Sequence, residues 1–126
     1  MQARVLYIAG RKTREDDLLE ILEALKNFGV EARVARDLRE TWSAFSPEEF
    51  DLALIDIDDF SPGGYGSFSG IDEIISEVPS LLLSESGSLE RWTRALEAGA
   101  IGFLTRPLDA ETVTRFILKL VRKTKK

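Results

Sequence analysis

Asp56 closes the run Asp51-Leu-Ala-Leu-Ile-Asp56 and is the residue of this chain best placed to do chemistry. Such an apolar run reads as a buried parallel strand, and in open α/β sheets the reactive groups gather where the strands end. A carboxylate there can act on a ligand, although an Asp at a strand end equally serves to cap the following turn. The other nucleophile and ligand types are scarce. The chain has no His and no Cys, which removes the commonest general base, the commonest transition-metal ligands and all thiol chemistry. Ser-His-Asp and Cys-His enzymes are thereby excluded, as are disulfides, and the chain reads as a non-enzyme suited to the reducing cytoplasm.

The elements that position Asp56 follow from the hydrophobic pattern. Arg4–Ala9 reads as a short buried strand. Thr13-Arg-Glu-Asp16 opens a helix in the manner of a capping box, Leu18, Leu22, Leu25 and Phe28 recur at helical spacing, and Gly29 ends it. Val30–Ala35 is a second strand, and Leu38, Trp42 and Phe45 form a short helical stripe. Ser46-Pro-Glu-Glu49 starts one more helical turn, with Ser at the N-cap, Pro at the first position and Glu at the third. Leu52–Ile57 is the third strand. Ser61–Gly70, with four Gly, three Ser and one Pro, is a loop.

Ile71–Glu77 then reads as a short helix, Ser80–Leu83 as the fourth strand, Ser88–Ala98 as a helix stopped by Gly99, and Ile101–Leu104 as the fifth strand. Asp109 caps a last helix in which Val113, Phe116, Ile117, Leu120 and Val121 make the strongest periodic signal of the chain. Five apolar runs alternating with helical patterns predict a parallel sheet covered on both faces.

Length and composition suit one domain over residues 1–126. Hydrophobic content of 44% and charged content of 31% are ordinary for a soluble protein, and no apolar run is long enough for a membrane helix. The net charge of -5 argues against a nucleic-acid surface. Its distribution is polarised: Glu15, Asp16, Asp17, Glu20 and Glu23 crowd the first helix, while Arg115, Lys119, Arg122, Lys123, Lys125 and Lys126 load the last. A basic C-terminal helix end also suits the helix macrodipole.

Asp56, together with the tract Ala98-Gly-Ala-Ile-Gly-Phe-Leu-Thr-Arg-Pro107, resembles the receiver domain of two-component response regulators over nearly the whole chain. The resemblance implies a flavodoxin-like α/β domain, a five-stranded parallel sheet in order 2-1-3-4-5 with helices on both faces. It assigns Asp56 as the phospho-acceptor position, Ser84 as the hydroxyl that binds the phosphoryl oxygen, Phe103 as the aromatic switch residue and Arg106 as the position where receivers keep a lysine. Each also has a plainer reading: Ser84 as a turn residue, Phe103 as core, Arg106 as a solvent-facing cation.

Three departures bear on mechanism. Receivers carry an acidic pair after the first strand to hold Mg²⁺; here those positions are Ala9 and Gly10, followed by Arg11 and Lys12. Mg²⁺ neutralises the anions brought together in phosphoryl transfer, so a chain without that pair is expected to bind no metal and to need no cofactor. Arg106 offers a planar fork that can pair with Asp56 as a fixed tie, in place of a lysine that follows the phosphoryl group. The segment Asp59–Gly70 is longer than receivers usually carry, and Tyr65 and Phe68 within it suit a lid, a partner contact or a plain insertion.

The expected function is a stand-alone pseudo-receiver acting through protein–protein interaction. Its alternatives are an active receiver phosphorylated on Asp56 by a histidine kinase and a flavodoxin-like small-ligand binder. The partner surface, for another protein or a second copy, is expected on the fourth helix, fifth strand and fifth helix, through Leu89, Trp92, Leu96, Arg115 and Lys119. Neither nucleic acid nor membrane is an expected partner.

Overall fold

The apolar runs become strands at the expected places: β1 (Ala3–Ile8), β2 (Val30–Ala35), β3 (Leu52–Asp56), β4 (Ser80–Ser84) and β5 (Gly102–Thr105). The computed structural model describes residues 3–8, 15–35, 46–56, 74–84, 93, 96–105 and 109–124. All five strands pair in parallel in the order β2-β1-β3-β4-β5, as expected. The central strands β3 and β4 are buried at every position, which is why their sequences show continuous apolar runs instead of alternation.

Alternate residues nevertheless serve different layers. Leu52, Leu54, Leu81 and Leu83 pack with Leu18, Ile21 and Leu25 of the N-terminal helix (Glu15–Asn27) and with Val113, Ile117 and Val121 of the C-terminal helix (Ala110–Thr124). Ala53, Ile55, Leu82 and Phe103 face the other way, onto Ile74, Ile75, Val78 and Ala100. Fully burying a Leu or Ile side chain contributes roughly 1.5–3 kcal/mol, so these two layers carry most of the stability.

The chain ends its helices by the chemistry its sequence suggests. Gly29 has φ 78° and its N–H donates to the Lys26 carbonyl at 3.0 Å, closing the N-terminal helix. The Ser46 N–H donates to Glu49 Oε2 at 2.6 Å, and the Glu49 N–H returns to the Ser46 carbonyl at 3.1 Å. That reciprocal bonding makes Pro47–Glu49 a single 3-10 turn. At the last helix the Asp109 carboxylate accepts the Thr112 hydroxyl at 2.7 Å, and the Asp109 carbonyl accepts the Val113 N–H at 3.0 Å. The Thr13 side of the first helix start and the Leu38–Phe45 stripe lie outside the described residues.

Boundaries and burial differ from expectation in instructive ways. β4 extends one residue further, through Ser84, and β5 begins at Gly102 instead of Ile101. The buried stripe of the first helix is Leu18, Ile21 and Leu25, whereas Phe28 is 42% exposed. In the last helix Val113, Thr114, Ile117 and Val121 are buried, and Phe116 is 38% exposed. Both phenylalanines continue the apolar periodicity but sit at the margin of the buried stripe. Among the described residues no helix is long and apolar enough to cross a membrane.

Candidate functional site at the carboxyl edge of the sheet

The register sets the site. Ile8 lies opposite Ile55, and Asp56 opposite Leu83, so Asp56 stands at the carboxyl end of β3 with Ser84 one residue further along on the neighbouring strand. Ser84 in turn pairs with Thr105 at the end of β5. Asp56 is 1% exposed and Ser84 is fully buried, which is unusual for polar side chains and requires each to be held by polar contacts. The edge therefore brings a carboxylate and a hydroxyl together on adjacent strands, the first pointing to one layer and the second to the other by strand alternation.

Phe103 pairs opposite Leu82, two positions before the level of Ser84 and on the same sheet face, at 9% exposure. β1 ends at Ile8, one residue short of the level of Asp56, and the next two residues in sequence are Ala9 and Gly10. Ala9, Gly10, Arg106, Leu89, Trp92 and the loop Ser61–Gly70 lie outside the described residues.

Of the expected partner surface, Leu96 is 50% exposed, and the structure adds two residues that the sequence reading did not single out: Ile101 and Phe116, each 38% exposed. They are neighbours through Gly102, because a Cβ placed there would lie 3.6 Å from the Phe116 ring. The spacing of Phe116 continues the buried stripe, yet its side chain is left partly uncovered. Arg115 and Lys119 fall on the other flank of the C-terminal helix, where they line a groove with Phe28, and Arg115 pairs with Glu111 at 2.7 Å.

A parallel sheet ordered 2-1-3-4-5 with helices on both faces defines a flavodoxin-like α/β fold, here with a buried carboxylate at the end of the third strand. The chain belongs to the response regulator receiver domain family, whose model matches residues 15–118. It is 30% identical over 109 residues to the response regulator protein PilR of Pseudomonas aeruginosa, covering 86% of this chain and 24% of that protein. It is 26% identical over 113 residues to the transcriptional regulatory protein ZraR of Escherichia coli, covering 87% of this chain and 26% of that one. The chain thus spans about a quarter of the length of the curated relatives it matches.

Among solved structures it is similar to a response regulator from Thermotoga maritima, with TM-score 0.81 and 18% identity over 97% of this chain and 99% of that one. A two-component response regulator from Clostridium difficile superposes with TM-score 0.80 and 20% identity, covering 99% and 100%. At these identities the likeness shows the fold. The chain is a two-component receiver domain, a signalling module of a kind that interacts with histidine kinases and other proteins.

Proposed function

We propose that this receiver domain is a pseudo-receiver, which signals by binding a protein partner and does not depend on Mg²⁺-assisted phosphorylation of Asp56. The observation that carries the reading is the register of β1 on β3. It ends β1 at Ile8, beside Ile55, and the residues that follow, Ala9 and Gly10, bring no carboxylate to the neighbourhood of Asp56.

The donor set does not fit a divalent cation. Mg²⁺ gives up its water reluctantly and is held through carboxylate oxygens. Asp56 is a single carboxylate, and among the described residues no group of three or more Asp, Glu, His or Cys side chains is arranged to hold a metal ion. Arg106 takes over as the positive partner of Asp56 in this reading. A planar guanidinium that is always charged holds a carboxylate in one geometry and turns the switch residue into a structural tie.

The output surface in this proposal takes in the exposed apolar side chains Leu96, Ile101 and Phe116, which a protein partner covers. Upstream, a histidine kinase would have no productive acceptor, so information enters through binding alone.

The deciding experiment is NMR of the chain with acetyl phosphate or a beryllofluoride reagent and Mg²⁺. The expected result is an unchanged spectrum. Specific shifts at Asp56, Ser84 and Phe103 that disappear in Asp56→Asn would show instead an active receiver, since Asp56 and Ser84 retain adjacent strand ends.

A further inference from the structure

Carboxylates outnumber cations in this chain, 22 Asp and Glu against 17 Lys and Arg, so most cations have an acidic neighbour at hand. Arg4 and Arg33 lie 3.8 and 3.5 Å from Glu31, and Arg115 lies 2.7 Å from Glu111. Lys119 and Arg122 differ: among the described residues neither has an ion-pair partner. Both are exposed, and with Phe28, Arg115 and Leu118 they line an open groove of about 650 Å³. Among the described residues no carboxylate lines it.

The groove extends toward the end of the domain opposite Asp56. All strands run parallel, so the N-terminal helix descends from the carboxyl edge and reaches Phe28 just before Val30, the first residue of β2. The C-terminal helix starts at Ala110, after β5, and runs the same way. At 1.5 Å per residue Arg122 stands about 18 Å below that start, close to the length of a five-residue strand. A small ligand needs roughly 70–90% of its surface enclosed, which an open groove does not provide. Its shape suits a segment of chain laid along it. Phe28 comes from one helix and the cations from the other, so one side of the groove is aromatic and the other cationic.

We infer that this groove docks an acidic segment of another protein, whose carboxylates pair with Lys119 and Arg122 and whose apolar side chains cover Phe28. In an extended segment successive side chains point to opposite sides, so alternating acidic and apolar residues meet both sides of the groove at once. The Phe28 ring, 42% exposed, and the half-buried Leu118 supply the apolar contact that carries most of the affinity. The unpaired cations select an acidic partner and set its orientation. Docking here requires no event at Asp56 and is independent of the proposed mode of signalling.

The test uses a short fluorescein-labelled peptide of alternating Glu and Leu, read by fluorescence anisotropy beside its Lys–Leu counterpart. The acidic peptide is expected to bind and the basic one not. Binding should weaken roughly tenfold or more between about 0.01 M and 0.15 M salt, where the Debye length falls from about 30 to 8 Å. Lys119→Glu/Arg122→Glu should weaken it by a similar factor, and Phe28→Ser should weaken it without changing its salt dependence. Arg4→Glu/Arg33→Glu changes the net charge equally at another place and should leave binding intact, as should Phe116→Ser. All these side chains are exposed, and unfolding curves check that each variant is folded. No binding of the acidic peptide overturns the inference, and so does an equal loss from the two charge reversals. Tighter binding of a single-stranded oligonucleotide overturns it in favour of nucleic acid. A dimer that Lys119→Glu/Arg122→Glu disperses overturns it in favour of a second copy. Each of these results leaves the pseudo-receiver reading intact.

Discussion

Ala substituted at Gly29 and at Gly99 compares two positive-φ positions that differ in how far the backbone lies from the left-handed minimum. Both glycines have positive φ, 78° and 106°, and each follows a helix, so the chemical change is the same at both places. At Gly29 an added Cβ would meet nothing within 4 Å. The loss is therefore conformational alone, about 1–2 kcal/mol for an L-residue in the left-handed region. At Gly99 the backbone lies further from the left-handed minimum near +57°, which raises the strain. The new methyl would stand 3.4 Å from Ile75 Cγ2, an ordinary van der Waals distance, so the extra loss is conformational there too. That strain places Gly99→Ala at about 2–3 kcal/mol.

For a domain of this size 1 kcal/mol corresponds to roughly 4 °C in Tm. Thermal and urea unfolding followed by far-ultraviolet circular dichroism should thus lose about 4–8 °C at Gly29 and about 8–12 °C at Gly99. Asn tolerates the left-handed region, so Gly29→Asn should recover most of the loss, while Gly99→Asn should not, because φ 106° lies well outside the left-handed minimum. Equal losses at the two positions, or full rescue by Asn at both, would refute the reasoning by showing that distance from that minimum carries no cost.

Four further outcomes are expected. Gly102→Ala should destabilise by about 1–3 kcal/mol in urea unfolding, because its Cβ would come within 2.8 Å of Leu81 Cδ1 on a fully buried side chain. Thr114→Val should stabilise by about 1 kcal/mol in the same assay, since the buried Thr114 Oγ1 has no hydrogen-bond partner among the described residues. Ile117→Ala should cost about 2–5 kcal/mol, and Phe116→Ala distinctly less because a third of its surface is already in water; partner capture should show the reverse ranking. A double-mutant cycle on Asp56→Ala and Arg106→Ala tests the proposed tie: Asp56 is 1% exposed, so a pair formed there should give a coupling energy above the 0–1 kcal/mol of exposed pairs.

The fold was legible because parallel sheets write themselves into sequence: β3 and β4, buried on both faces, appear as Leu-Ala-Leu-Ile and Leu-Leu-Leu with a polar residue at each carboxyl end. Gly29, Ser46, Gly99 and Asp109 marked helix limits through backbone chemistry that acts locally. What escaped was set by distant partners. The helical period assigns Phe28 and Phe116 to the buried stripe, yet burial depends on how far the neighbouring layer extends, and that is decided by the sheet. The flank on which Arg115 and Lys119 fall was likewise invisible until the C-terminal helix was placed beside the N-terminal one. The single-residue shift of β5 reflects Gly102, whose missing side chain lets it sit under Phe116 and beside Leu81.

The carboxyl edge and the exposed apolar side chains bear differently on the proposed pseudo-receiver. Asp56 and Ser84 end strands that are buried along their length, so a change at that edge must pass through close-packed side chains. Phe103 shares the sheet face of Ser84, two residues before its level on the neighbouring strand. Ile101 and Phe116 are exposed beside the start of that strand. If Asp56 is tied to Arg106 as proposed, no change is sent from the edge, and these exposed side chains are a surface that the fold presents permanently.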